Sequence, residues 1–214
     1  MNKLKVLNLP AIRRFPTYLH ILKRLDPSKY EYVSTAELID RLDFEAVLIR
    51  KDLAGLGLKG IPRRGYPLEG LISAIEEFLG WNKDDEAFLI GTGSLGQALL
   101  GYEQFSDRGL KIVAAFDSDV SKCGSTIAGK SVFHIARMQN LAARMGIKIA
   151  LLCVPWQDAQ EAAELLVKAG ITAIWNFTAQ ELELPDDVIC HHENLMSSLA
   201  VFSVKMKSHF KEHK

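Results

Sequence analysis

The sequence predicts an α/β protein in two parts, a helical N-terminal segment followed by a parallel sheet with helices on both faces. Three observations predict it. Apolar spacing is helical up to about residue 80, and beyond it short apolar runs alternate with helical stretches. A glycine-rich turn, Gly91-Thr92-Gly93-Ser94-Leu95-Gly96, stands between the first such run and the helix after it. Charge divides in the same way: residues 1–66 hold 13 Lys/Arg against 7 Asp/Glu, and residues 67–214 hold 13 against 19. The net charge of zero therefore conceals a basic front and an acidic remainder, and only the front is suited to approach a polyanion.

In the N-terminal part, residues 11–25 read as one helix, broken by Asp26-Pro27. Ser34 followed by Glu37 is a capping-box signature that opens a second helix over 35–42. Asp43-Phe44 reads as a short turn and residues 45–56 as a third helix. Gly57, Gly60, Pro62 and Gly65 then punctuate a loop that carries Lys59, Arg63 and Arg64, and residues 68–79 resume helical spacing. Helix, helix, short turn, helix and a Gly/Pro loop is the plan of a winged helix-turn-helix. In that plan the helix after the turn enters the DNA major groove. On that helix Arg50-Lys51 is the basic pair. Arg63-Arg64 at the loop tip suit a phosphate backbone or the minor groove.

The second part begins near Gly80–Asp85. Strands are expected at 87–90, 111–116, 148–154 and 171–177, and helices at 94–102, 135–145 and 158–169, with Gly146 and Gly170 at helix ends. This is the pattern of a Rossmann-type doubly wound parallel sheet. The glycine turn fits G-x-G-x-x-G in its required place. The first glycine allows the tight turn and the second lets backbone approach a pyrophosphate. The third lets helix and strand pack closely. The second strand ends at Asp117, 21 residues beyond Gly96, where a carboxylate that binds ribose hydroxyls belongs. A carboxylate repels a 2′-phosphate, so NAD(H) is the expected cofactor over NADP(H), with a coenzyme A-type ligand as the alternative.

With both modules in place, the chain resembles the Rex family of redox-sensing transcriptional repressors. The resemblance rests on Ala11-Ile12-Arg13-Arg14-Phe15-Pro16, Ser34-Thr35-Ala36-Glu37-Leu38, Ile49-Arg50-Lys51-Asp52-Leu53, the glycine motif, Ile112–Asp117, Phe133-His134-Ile135, Val154-Pro155 and Asn176-Phe177. It implies three regions: a winged helix DNA-binding domain over 1–80, a Rossmann NAD(H)-binding domain over 81–194, and a dimerisation helix over 195–214 that is swapped between subunits. It implies a homodimer that holds inverted-repeat operator DNA while NAD⁺ dominates and lets go when NADH binds. By position, Ser34, Arg50, Lys51, Lys59, Arg63 and Arg64 fall to DNA. Gly91, Thr92, Gly93, Ser94, Leu95, Gly96, Asp117, Val154, Pro155, Asn176 and Phe177 fall to the cofactor. Arg14, Tyr102 and Asn194 fall to a polar network between domains. The chain departs from the family in three places. Ser94 stands where many members have Asn, Asn194 stands where readily compared members have Asp, and the wing lacks the commoner Lys-Arg-Gly order.

Other features exclude or weigh against other classes. Cys123, Cys153 and Cys190 form no Cys-x-x-Cys pair, so neither a disulfide framework nor a zinc site is indicated, and inert thiols are expected. Adjacent His191 and His192 point to opposite faces of an extended segment, against a shared metal. His134 reads as a structural hydrogen-bonding residue, and Trp156 as a cofactor neighbour or a packing residue. Apolar runs are too short for a membrane helix and the N-terminus lacks a signal-peptide core, so a cytoplasmic address is expected. Residues 195–210 space Leu195, Leu199, Phe202 and Met206 along an amphipathic helix. The competing function is a small NAD-dependent dehydrogenase. That would need an acid/base group and a substrate pocket within the roughly 130 residues after the first module.

Overall fold

The computed structural model describes residues 8–42 and 44–212. The first seven residues, Asp43 of the expected turn, and residues 213–214 of the expected C-terminal segment lie outside the described residues. The chain forms two compact units, 1–83 and 84–214.

In the first unit, α1 spans Leu9–Leu22 and is capped by Asn8, whose side chain accepts the Ala11 N–H. Its buried residues Phe15, Tyr18, Leu19 and Leu22 fall at i, i+3, i+4 and i+7, the stripe an amphipathic helix turns to a core. A short strand β1 (Tyr32–Val33) leads into α2 (Thr35–Leu42). The capping box is complete: the Ser34 N–H donates to Glu37 Oε2 at 2.7 Å, and the Glu37 N–H donates to Ser34 Oγ at 3.2 Å. Next come α3 (Ala46–Gly55), β2 (Tyr66–Pro67, antiparallel to β1) and α4 (Leu68–Leu79), which ends on left-handed Gly80. One core joins them, with Leu38 and Leu42 from α2, Ile49 and Leu53 from α3, and Leu71 and Ile75 from α4 packed on the α1 stripe. Val33 and Tyr66 of the short ladder close it, and the loop between α3 and β2 folds back as a wing bridged at Ile61 and Gly65.

The second unit is a seven-stranded sheet. Its strands are β3 (Asp85–Ile90), β4 (Leu110–Asp117), β5 (Thr126–Ile127), β6 (Lys130–His134), β7 (Ile149–Leu152), β8 (Ala173–Asn176) and β9 (Ile189–His192). The order is β5-β6-β4-β3-β7-β8-β9, parallel except for the small β5–β6 pair. From β6 to β9 this is the doubly wound order of a dinucleotide-binding sheet, which reverses direction between β3 and β7. The helices are α5 (Ser94–Leu100), α6 (Met138–Met145), α7 (Ala159–Lys168) and α8 (Leu195–Glu212). Residues of β3 alternate between two cores. Phe88 and Ile90 enter the one under α6 and α7, and Ala87 and Leu89 enter the one beside α5. Burial on both faces is why this strand reads as a continuous apolar run.

Several boundaries differ from the sequence reading. The helix expected over 94–102 stops at Leu100, where Gly101 interrupts it, and a 3-10 segment Glu103–Arg108 follows, ended by left-handed Gly109. The helix expected from 135 begins at Met138, because Ile135–Arg137 form a 3-10 turn on which His134 Nδ1 accepts the Ala136 N–H at 3.3 Å. The helix expected from 158 likewise starts at Ala159, after a 3-10 turn over Trp156–Asp158. Strands β5, β6 and β9 were not anticipated. They are short or polar, and their pairing with distant segments leaves little local trace.

The last helix, α8, leaves Leu195, Met196, Leu199, Val201, Phe202, Val204 and Phe210 exposed. The expected apolar row is thus present, but its residues stand clear of this chain's own cores. No helix among the described residues is long and apolar enough to cross a membrane.

Candidate nucleotide cleft and nucleic-acid surface

The second unit carries a cleft of about 650 Å³ at the carboxyl ends of β3, β4 and β7, where the strand order reverses. Gly91, with φ +92°, turns the chain sharply out of β3. A Cβ there would lie 2.7 Å from the Cys153 carbonyl oxygen, so the turn after β3 sits directly against the turn after β7. A Cβ on Gly96 would lie 2.0 Å from the Gly91 carbonyl oxygen, which is why no larger residue fits the third glycine position. The cleft has the crossing point, the open glycine turn and the carboxylate that a dinucleotide requires.

Asp117, at the end of β4, is 7% exposed and accepts four hydrogen bonds. Its Oδ2 accepts the Thr92 N–H at 2.8 Å, the Thr92 hydroxyl at 2.5 Å and Lys122 Nζ at 3.1 Å, while Oδ1 accepts the Asp119 N–H at 2.9 Å. Burial acts to raise its pKa. The hydrogen bonds from the Thr92 hydroxyl, the two N–H groups and Lys122 outweigh it and hold the carboxyl at about 2. A carboxylate offers about four lone pairs, so Oδ1 retains room for one more donor such as a ribose hydroxyl.

Of the residues expected at the cofactor, Gly91, Gly93, Leu95, Asp117, Val154, Pro155 and Phe177 line this cleft. Thr92 is buried behind it and holds Asp117. Ser94 is exposed at the first turn of α5, and Gly96 serves the packing described above. Asn176 corrects the sequence reading. Its side chain is fully buried, donates to the Gln180 carbonyl at 2.8 Å, accepts the Thr178 N–H at 2.9 Å and meets His192 Nδ1 at 3.0 Å. It shapes the turn that presents Phe177 and does not line the cleft. Sequence reasoning missed Lys122, Asp119, Asp158 and Glu161, which do line it. Lys122 was findable, as a cation five residues past a strand-ending acid. Asp158 and Glu161 reach the cleft only because α7 packs over β7. Trp156 projects into solvent outside it. The thiol of Cys153 is pushed up to about 12 by burial and that of Cys190 is raised for the same reason, in keeping with inert cysteines.

In the first unit a smaller notch of about 360 Å³ lies between the start of α2, α3 and the wing. Ser34, Arg50 and Arg63 line it together with Thr35, Gly60, Ile61, Gly65 and Tyr66. Gly65, with φ +92°, is required by the wing's close approach: a Cβ there would meet the Val33 carbonyl oxygen at 2.2 Å. Arg63 adopts φ +64°, an unfavourable left-handed conformation for an arginine. Arg50, Lys51 and Lys59 are exposed, and no ion pair engages them among the described residues. Arg64 differs from its neighbour. Its guanidinium stacks 4.0 Å from the Tyr32 ring centroid and lies 3.6 Å from Glu31.

The three residues expected in a polar network are each engaged inside their own unit. Arg14 forms a two-pronged pair with buried Asp52, Nε and Nη2 both at 2.7 Å, and Tyr18 donates to the same carboxylate at 3.0 Å. The hydrogen bond to Asp52 raises the Arg14 pKa against the opposing effect of burial. Burial, followed by the bond to Asp52, raises that of Tyr18. Tyr102 is half exposed against Phe105. Asn194 Oδ1 accepts the Ser197 N–H at 3.0 Å and so caps α8.

The comparisons agree with this division. A family model described as a putative DNA-binding protein N-terminus matches residues 9–54, and one described as a CoA binding domain matches residues 82–180. The chain is 47% identical over 208 residues to a redox-sensing transcriptional repressor Rex of Treponema denticola, covering 97% of this chain and 99% of that protein. It is 38% identical over 192 residues to one of Bacteroides fragilis, covering 90% and 87%. Among solved structures, the Rex-family repressor RSP in complex with β-NAD⁺ and operator DNA matches with TM-score 0.87 and 34% identity over 97% of this chain and 96% of that one. RSP in complex with β-NADH matches with TM-score 0.84 and 33% identity over 98% and 99%. Two-unit architecture, cleft and relatives together place the chain in the Rex family of redox-sensing transcriptional repressors.

Proposed function

We propose that this chain is a cytoplasmic repressor that binds operator DNA through its first unit and is released when NADH replaces NAD⁺ in the second. The observation that carries the reading is the joint presence, in one chain, of an exposed basic surface on a winged helix-turn-helix and a Rossmann cleft with a ribose-type carboxylate. Its relatives are named as repressors, and the RSP complexes hold operator DNA with NAD⁺ or hold NADH. This favours repression over a dehydrogenase, and the chain is read as a sensor without catalytic residues.

In this reading Gly91, Gly93 and Ser94 face the pyrophosphate, Asp117 Oδ1 takes a ribose hydroxyl, and Val154, Pro155 and Phe177 flank the nicotinamide half. Bound NAD(H) supplies only a redox-dependent ring charge, and the protein reads that difference. Arg50, Lys51, Lys59 and Arg63 meet DNA, with Ser34 at the phosphate notch. The exposed apolar faces of α8 are covered by a second copy, giving a two-fold dimer for an inverted-repeat operator. To lower occupancy a hundredfold, NADH must favour the DNA-incompetent state by about 2.7 kcal/mol.

Binding of inverted-repeat duplexes, followed by fluorescence anisotropy at graded NADH and NAD⁺, tests the function. Release by NADH that NAD⁺ opposes is expected, and DNA affinity indifferent to both would overturn it. Truncation before Leu195 is expected to yield monomers, and a stable truncated dimer would remove α8 from that role.

A further inference from the structure

We propose that Val47 reads a thymine 5-methyl group in the major groove, an inference that rests on the operator-binding reading above. Successive residues of a helix are rotated by about 100°, so Val47, Arg50, Lys51 and Ala54 at i, i+3, i+4 and i+7 share one face of α3. All four are exposed. The opposite face is held down by Ile49 and Leu53 in the core and by Asp52, 2% exposed, in the grip of Arg14 and Tyr18. That grip fixes the rotation of α3 about its own axis, so the outward face cannot roll inward.

The outward face combines two chemistries. Arg50 and Lys51 are cations suited to guanine edges and phosphates, and Val47 is a branched apolar side chain, 69% exposed, in the first turn of the helix. A β-branched residue gains nothing for an exposed helix from propensity. Its face-mates one turn on, Arg50 and Lys51, are charged, and the other small apolar residue of this face, Ala54, lies two turns away. The first turn of a recognition helix is the part that meets base edges, and the thymine methyl is the one apolar group those edges offer. Val47, one turn before the cationic pair, is positioned to meet such a methyl at a base step adjoining those read by Arg50 and Lys51.

The test begins with selection of bound duplexes from a random inverted-repeat library by the full-length protein. Each thymine of the selected operator is then replaced by deoxyuridine, which removes only the methyl group. One thymine per half-site is expected to lose about fourfold in affinity when demethylated, the effect of one buried methyl. Val47→Ala, which does not weaken the helix, is expected to bind thymine and uracil equally at that position while keeping its response to NADH. Failure to enrich any duplex would overturn the operator reading and this inference with it. A selected operator that is indifferent to uracil at every thymine, or a Val47→Ala protein with the wild-type uracil penalty, would overturn the methyl contact alone.

Discussion

The two units solve opposite problems, one around a single core and the other with a core on each face of a sheet. The first presents its functional groups outward: Arg50, Lys51 and Arg63 are long, exposed side chains, and the helix that carries the first two is fixed by buried partners. The second turns its functional groups inward: Gly91 and Gly96 act through close backbone approach, and Asp117 is a buried carboxylate held by its neighbours with one acceptor site left open. Changes at the outward groups of the first unit should therefore alter binding and leave folding alone, whereas changes at the inward groups of the second should damage both. The lesson is that a surface for a polyanion tolerates variation that a cradle for a dinucleotide does not.

The sharpest way to break this comparison is Gly96→Ala. With a Cβ 2.0 Å from the Gly91 oxygen, the variant is expected to lose about 3 kcal/mol of stability and measurable NADH binding. Thermal unfolding and calorimetry check it, and a fully stable variant with normal NADH affinity would show that the turn yields. Asp117→Asn comes next. It is expected to weaken NADH binding about tenfold to hundredfold, the value of a hydrogen bond to a charged group. It should also change the acid limb of stability. The folded pKa of Asp117, about 2, lies below the ordinary 3.8. Its contribution, about 2 kcal/mol, is therefore present above pH 4 and lost as pH falls from 4 toward 2. Urea titrations across that range should show this loss in the wild type and not in Asp117→Asn.

In the outward-facing unit, Arg50→Ala is expected to cost about 1–3 kcal/mol of operator affinity. Lys51→Ala should mainly lower the salt dependence of binding, by about one in slope. Both should leave NADH affinity and melting temperature unchanged, and a drop in melting temperature would mean that this surface also carries the fold. Last comes Arg63→Gly. Relief of the left-handed conformation should offset glycine's added freedom, leaving stability unchanged or higher by at most about 1 kcal/mol while operator affinity falls. A clear loss of stability would instead make Arg63 an anchor of the wing.

Legibility in the sequence followed the range of the interactions. The capping box at Ser34 and Glu37, the helix over 68–79 and the glycine turn after β3 are local, so spacing alone revealed them. Arg63 and Arg64 are adjacent and alike in sequence, yet Tyr32 and Glu31, some thirty residues away, hold one and not the other. Arg14 likewise found Asp52 inside its own unit, a pairing across 38 positions that no periodicity encodes.

The sequence by itself determined the class of each unit, the order of most elements, the nucleotide turn and its carboxylate, because periodicity, turn chemistry and motif spacing are properties of neighbouring residues. Only the tertiary structure decided that Asn176 is buried behind the cleft, that Asp158 and Glu161 line it, and that β6 and β9 extend the sheet. These outcomes depend on which distant backbones pack side by side, and a side chain's task is settled by the partners that packing delivers.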